Sequence, residues 1–233
     1  MQQLLLHNIS FRFTEKQVWF FDHLSATFDA GMLHLITGKN GVGKSTLFTL
    51  VQGTIEPPQY AQGVITCNNI SYDISKAPQR IALSTAIHKV AQDPRYMTIS
   101  TFTVADNLAM ARIGRIPSCK TLSHHPHALE LLKTFGINQS HYVAALSGGQ
   151  RQILAIGMAL QQQCSVLLLD EPTAALDDTN TRIVVECLHA VVASGIIVLC
   201  ITHDPQIIEY YPGAHMHHQL TIQEGGIRTF TKN

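Results

Sequence analysis

The 233-residue chain lacks an excess of either charge: 16 Lys and Arg stand against 16 Asp and Glu. A protein that grips a phosphate backbone carries a basic stripe, so this balance argues against nucleic acid as a partner. Cysteines are few and scattered. Cys67, Cys119, Cys164, Cys187 and Cys200 form no C-x-x-C pair, which speaks against a zinc site or a disulfide framework and for reduced thiols. Long hydrophobic runs are also missing: "IIVLCI" at 196–201 is strand-length, far below the roughly 20 residues of a membrane span. The opening "MQQLLLHNISFRF" has no basic segment and too short an apolar run for a secretory leader. The expectation is a chain soluble by itself, brought to a membrane only by another subunit. Internal repeats, low-complexity tracts and linkers are absent too.

What is present is apolar sequence in short, regular blocks. With 45% hydrophobic residues, the length suits one domain carrying a subdomain. The first thirty residues alternate ("LLLHNISFRF", then "VWFFDHLSATF"), which predicts an antiparallel β element. "MLHLIT" at 32–37 reads as a buried strand, and "STLFTLVQG" at 45–53 as a helix stopped by Gly53. "GVITCNN" and "AIHKVAQ" predict further strands, the second ending at Gln92. From Asp93 to Gln163 the spacing turns helical, in "VADNLAMARI", "HALELLKTFGI" and "GQRQILAIGMALQQQ". Then "SVLLLDE", "DTNTRIVVECLHAVVAS", "IIVLCIT", "PQIIEYY" and "AHMHHQLTI" alternate strand and helix. Such alternation predicts an α/β fold with a parallel sheet covered on both faces. On this reading 1–92 and 164–233 form the core, and 93–163 is an inserted helical subdomain.

The glycine loop between the second predicted strand block and its helix carries the chemistry. Gly38, Lys39, Asn40, Gly41, Val42, Gly43, Lys44 and Ser45 match G-x-x-x-x-G-K-[ST], with Thr46 following. Glycines let backbone N–H groups converge on phosphate oxygens, and the helix N-terminus adds positive potential. Lys44 reaches the β- and γ-phosphates, and Ser45 offers a hydroxyl to Mg²⁺. "VLLLDEP" at 166–172 supplies the acidic half: Asp170 to hold Mg²⁺ through water, Glu171 to polarise the attacking water as general base. The plain alternative for this pair is a strand-end cap on the next helix. His203 in "VLCITHDP" and Gln92 before "DP" also close predicted strands, at the edge where ligands of open parallel sheets collect. A neutral His203 could hydrogen-bond a γ-phosphate, and Gln92 could ligand Mg²⁺ or orient water; either, taken alone, could be structural.

Together these residues resemble the nucleotide-binding subunit of ABC transporters, over essentially the whole chain. Beside the P-loop "GKNGVGKST" stand the Q-loop at Gln92, the signature "LSGGQ" at 146–150, the Walker B run "VLLLDEP", the D-loop "AALD" at 174–177 ending in Asp177, and the H-loop His203. The resemblance implies a P-loop NTPase core of RecA-like type, with an N-terminal antiparallel β subdomain and an inserted helical signature subdomain. It implies ATP and Mg²⁺ as cofactors, and Ser45, Gln92 and Asp170 around the metal. It implies an aromatic that stacks on adenine, for which Phe13 is the candidate and Phe11 the alternative. Ala174 departs from the serine that is commonest there.

"LSGGQRQ" raises a separate question. Ser147 and Gln150 fit a capping box, but Gly148 and Gly149 in the first helical turn cost roughly 1–2 kcal/mol of helix propensity. A ligand approaching the helix N-terminus would explain them. The loop has no lysine, so it is not a second P-loop. The resemblance implies instead that Ser147, Gly148, Gly149 and Gln150 act in trans, closing over ATP held by a second ATPase subunit in a homodimer or heterodimer. It further implies a transmembrane permease subunit docking on a groove from Tyr96 to Leu108, a solute-binding protein as a further candidate partner, and a cytoplasmic place at the inner face of the membrane. The importer echo points to small solutes, with amino acids as the first class; export or lipoprotein release, and a soluble non-transport ATPase, are the alternatives. "HHPH" at 124–127 and "HMHH" at 215–218 do not form a dedicated metal site on this reading.

Overall fold

The computed structural model describes residues 2–56, 59–113, 126–161, 164–174, 176–222 and 228–232. In chain order, β1 (Gln3–Arg12) and β2 (Phe21–Asp29) precede β3 (Leu33–Thr37) and α1 (Lys44–Gln52). Next come β4 (Tyr60–Cys67), β5 (Ile70–Asp73), α2 (Ala77–Leu83) and β6 (Ile87–Val90). Three helices follow, α3 (Val104–Ile113), α4 (Pro126–Thr134) and α5 (Gly148–Leu160). The chain then runs through β7 (Val166–Asp170), α6 (Asp178–Ala193), β8 (Ile197–Ile201), α7 (Pro205–Tyr210), β9 (His215–Ile222) and β10 (Arg228–Lys232).

Two sheets result. The antiparallel one has the order β2-β1-β4-β5, and the other β10-β9-β3-β8-β7-β6. In the second sheet β9, β3, β8, β7 and β6 pair in parallel, while β10 returns antiparallel on β9. The α/β architecture with an N-terminal antiparallel element is therefore as expected. The antiparallel edge β10, the helix α2 and the strand β5 are additions to the sequence reading. β5 follows from Asn68 and Asn69, both at positive φ between the paired residues Cys67 and Ile70, the backbone a two-residue hairpin requires.

Side-chain alternation on the parallel strands splits the core in two. Val166, Leu168, Ile197, Leu199 and Ile201 face the antiparallel sheet and α1, packing with Leu4, Phe11, Phe21, Phe28, Leu47 and Phe48. Leu167, Leu169, Val198 and Cys200 face the other way, onto Leu154, Val184, Leu188 and their neighbours. Strands buried on both faces read as continuous apolar runs, which is why "VLLLD" and "IVLCI" show no alternation. In β1 the buried set shifts from Leu4 and Leu6 to Ile9 and Phe11. The cause is an irregular register around Asn8, which has φ 50°; one extra residue moves every later side chain to the opposite face.

His34 and His218, on neighbouring β3 and β9, are both buried. His34 Nδ1 lies 2.9 Å from His218 Nε2, and His34 Nε2 lies 2.8 Å from the Asp29 carbonyl. A carbonyl only accepts, so His34 Nε2 carries its hydrogen and, in the neutral ring, Nδ1 accepts from His218. His218 thus turns inward as a core group, away from His217. His124 and His125 of the other cluster lie outside the described residues.

Candidate nucleotide site

The loop from β3 to α1 is built on backbone only glycine adopts readily. Gly38, Gly41 and Gly43 have φ of 147°, 77° and 111°. At Gly43 a Cβ would come within 2.5 Å of the Phe20 ring, so the aromatic lies directly on the loop. Gly43 caps α1 without a side-chain hydrogen bond, leaving first-turn N–H groups directed at the loop's concavity. Lys44 is buried along its stem; its Nζ donates to the carbonyls of Gly38 at 2.7 Å and Lys39 at 3.3 Å. Burial lowers the pKa of this ammonium, and the negative charges of Glu171 and Asp170 oppose that shift. A cation held by two carbonyls beside two carboxylates is well placed to take phosphate oxygens.

A cavity of about 480 Å³ opens over this loop. Asn40, Gly41, Gly43, Lys44, Ser45 and Thr46 line one side, Gln92, Asp170, Glu171 and Ile201 another, and Phe13 and Phe20 a third. Residues far apart in sequence are thus brought to one place by the carboxyl ends of β3, β6, β7 and β8. Val42, by contrast, turns its side chain into the core, and its N–H donates to the Lys39 carbonyl at 3.2 Å. Of the two candidate aromatics, Phe13 is partly exposed at the cavity and Phe11 is buried. Burial removes Phe11 as a stacking surface. Phe20 went unrecognised in the sequence; its ring stands edge-on to Phe13, centroids 4.9 Å apart.

Asp170 ends β7, and its Oδ2 accepts from Ser45 Oγ at 3.4 Å. Lys89 of β6 approaches the same oxygen, Nζ to Oδ2 2.8 Å, a contact the sequence gave no sign of. Glu171 has φ 48°, an uncommon backbone state for a residue with a Cβ, of order 1 kcal/mol or more in cost. Its N–H donates to the Ile201 carbonyl at 2.9 Å, and Gln92 Nε2 donates to its carboxylate at 3.4 Å. The sheet edge, not local propensity, therefore aims this side chain. Among the described residues no cluster of three His, Cys, Asp or Glu could hold a metal. The paired oxygens of Ser45 and Asp170 suit Mg²⁺, which takes few protein ligands and completes its shell with phosphate and water.

His203 lies two residues past β8, is exposed, and does not line the cavity. Its neighbour Asp204 is the anchored group there: it accepts from Thr173 Oγ1 at 2.7 Å and caps α7 through the Gln206 N–H. That bond ties the loop after Glu171 to the loop after β8.

The signature turn stands apart, since no residue from 146–152 lines the cavity. Ser147 and Gln150 form both halves of the capping box. Ser147 Oγ also donates to Asn180 Oδ1 at 3.1 Å, and Asn180 Nδ2 donates to Asp177 at 2.9 and 3.0 Å. The D-loop aspartate thereby caps α6 and holds the residue that holds the signature serine. The glycines have a packing reason beyond any ligand: a Cβ on Gly149 would meet Asn180 Oδ1 at 2.6 Å, and one on Gly148 the Leu176 side chain at 3.1 Å.

Known proteins match this arrangement. The family model described as ABC transporter matches residues 21–174. A putative ABC transporter ATP-binding protein of Onion yellows phytoplasma (strain OY-M) is 32% identical over 226 residues, 96% of this chain and 36% of that protein. A tyrosine transport ATP-binding protein of Clostridioides difficile (strain R20291) is 34% identical over 192 residues, 79% of this chain and 74% of its own. The macrolide export ATP-binding/permease protein MacB of Burkholderia pseudomallei (strain 1710b) is 31% identical over 91% of this chain and 31% of its own length. The chain thus spans about a third of the phytoplasma and MacB relatives. Among solved structures, cbiO1 from Clostridium perfringens, part of the ABC transporter complex cbiONQ, superposes with a TM-score of 0.75 at 26% identity, covering 93% of this chain and 83% of that one. From the phosphate loop to the tethered signature turn, the chain belongs to the ABC transporter family, in its ATP-binding part.

Proposed function

We propose that the chain binds ATP with Mg²⁺ in the cavity over the glycine loop and hydrolyses it as half of a head-to-tail dimer. The observation that carries this is a division of labour. Lys44, Ser45, Gln92, Asp170 and Glu171 converge on one cavity, while the capped signature turn does not line it, which supports a role for that turn at a second subunit's nucleotide. Lys44 and the first-turn N–H groups of α1 bind the phosphates. Ser45 and Asp170 would hold Mg²⁺, which would neutralise phosphate charge and orient the β- and γ-groups. Gln92 steadies Glu171, whose carboxylate accepts a proton from the attacking water. Ser147 and the N–H groups of Gly148, Gly149 and Gln150 close on the partner's ATP, Asp177 lies at the same interface, and His203 reaches the γ-phosphate once the dimer forms.

Closure and reopening of that dimer would drive a membrane permease. No described helix is long and apolar enough to cross a membrane; on this reading a permease would supply the transport path, and the chain would work at the membrane's inner face. Tyr96, Ile99, Phe102, Met110 and Tyr142 present exposed apolar surface among the described residues around α3 and before α5, suited to receive the permease. Leu108, expected in that groove, is fully buried in the core instead. Import of a small solute, amino acids first, is supported by the tyrosine transport relative, which matches over most of both chains; a solute-binding protein would then deliver the cargo. Export is the second reading, favoured by the MacB match.

The test is Glu171→Gln. Hydrolysis should fall by about 10²–10³-fold, the scale of losing one pre-organised catalytic group, while the variant elutes as a dimer with saturating ATP and Mg²⁺. A variant that stays monomeric under those conditions counts against the closed dimer.

A further inference from the structure

Lys89 has no place in the mechanism above, yet it makes the shortest side-chain contact to Asp170. It sits on β6, in register with Leu168 of β7, between buried Ile87 and Val90. Its Nζ lies 2.8 Å from Asp170 Oδ2, and Lys89 and Asp170 keep only 27% and 18% of their side-chain surface. The oxygen it touches is the one that accepts from Ser45 Oγ. A lysine half-buried in a strand is unfavourable unless paired, and here its partner is the carboxylate that faces the metal position. Lys89 also borders a second cavity of about 250 Å³, shared with Gln52, His88, Met97 and Met158. Its flexible four-carbon stem therefore has somewhere else to go.

We propose that Lys89 is a built-in counter-ion for Asp170, displaced toward the second cavity when Mg²⁺ enters with nucleotide, and that it thereby sets the Mg²⁺ concentration the site needs. This rests on the reading that Asp170 faces Mg²⁺. Without metal, the ammonium neutralises Asp170 and spares incoming phosphates its repulsion. With metal, two cations compete for one carboxylate oxygen, and charges that close in a partly buried site repel strongly. Removing the lysine charge should make the site hungrier for Mg²⁺ and poorer at holding metal-free ATP.

The experiment titrates Mg²⁺ into protein and a slowly hydrolysed fluorescent ATP analogue, following bound fluorescence for wild type, Lys89→Met and Lys89→Arg. Lys89→Met should lower the half-saturating Mg²⁺ concentration about tenfold and weaken analogue binding in EDTA severalfold; Lys89→Arg, which keeps the charge, should stay near wild type. An unchanged Mg²⁺ midpoint in a folded Lys89→Met protein overturns the proposal. If Lys89→Met does not fold, Lys89→Gln replaces it with the same expectation, and failure of both to fold assigns Lys89 to architecture and overturns it equally. A wild type whose analogue binding ignores Mg²⁺ overturns the reading of Asp170 itself, an outcome distinct from an unshifted variant.

Discussion

Ser147 Oγ donates to Asn180 Oδ1 at 3.1 Å, across 33 residues of sequence. Because Asn180 is also gripped by Asp177 through its amide and its own backbone N–H, the signature serine and the D-loop aspartate belong to one hydrogen-bonded network. Asn180→Ala should cost about 1–2 kcal/mol in a urea melt, the worth of a few partly exposed hydrogen bonds. It should also lower the hydrolysis rate while nucleotide affinity at the cavity stays within twofold, because no residue of this network lines the cavity. Loss of affinity in step with rate would mean that the network props up the whole fold.

Gly148 and Gly149 separate on the same geometry. Gly149 is buried and a Cβ there meets Asn180 at 2.6 Å; Gly148 is exposed and meets only the end of a leucine at 3.1 Å. Gly148→Ala gains helix propensity of about 0.5–1 kcal/mol and should melt at or above the wild-type urea midpoint. Gly149→Ala should lose about 1–3 kcal/mol by pushing Asn180 off its cap. Hydrolysis lost in a stable Gly148→Ala protein would then report on a ligand at the helix N-terminus, which Gly149→Ala cannot do cleanly. Equal midpoints for the two would contradict the packing.

How far the sequence could be read depends on the range of each interaction. The phosphate loop was fully legible because its glycines, lysine and serine act within one turn of chain, and the apolar blocks of β7 and β8 followed from two-sided burial. Ser147 and Gln150 likewise declared their cap. Lys89, Phe20 and Asn180 were not legible: each matters through a residue brought near only by the sheet or by helix packing. Phe20 looked like one more apolar residue in a strand until its ring was found on Gly43. α2 gave little periodic signal because Ile81 is exposed and only Leu83 is buried. The glycines of the signature carry a second reason that local sequence does not show: a Cβ at Gly149 would meet Asn180 and one at Gly148 would meet Leu176, whether or not a ligand approaches the helix N-terminus.

Phe13 and Phe20 both border the cavity but should fail differently. Phe13 offers an exposed π-face, so Phe13→Ala should weaken adenine-nucleotide binding by about 5–150-fold, the range of one lost stacking contact of about 1–3 kcal/mol, with little change in stability. Phe20 packs on Gly43, Phe13 and Phe21. Phe20→Ala should cost about 2–3 kcal/mol on denaturation, less than a fully buried ring, and should loosen the loop for every nucleotide alike. Comparing fluorescent ATP and GTP analogues decides the matter. If Phe20→Ala alone changes base preference, the stacking residue is Phe20.

The thiols give a prediction with a definite sign in pH. Burial raises Cys67 from 9.0 to about 11 and Cys164 to about 12, and pushes Cys187 and Cys200 up further in the same direction. All four are buried and free. Between pH 9 and 11 the unfolded chain sheds thiol protons that the folded chain keeps, so the unfolded state binds fewer protons and stability falls as pH rises. Below pH 9 the effect vanishes. At pH 10 each thiol should contribute a loss on the order of 1 kcal/mol, seen as a lower urea midpoint than at pH 8. A Cys67→Ala, Cys164→Ala double variant should start less stable at pH 8, from the lost packing, yet lose less on going to pH 10. At pH 8 these four cysteines should also resist iodoacetamide in the folded protein and react in urea. An equal alkaline loss in wild type and double variant, or native labelling of Cys67 or Cys164 in a peptide map, would show that the sheet faces are wetter than their packing indicates.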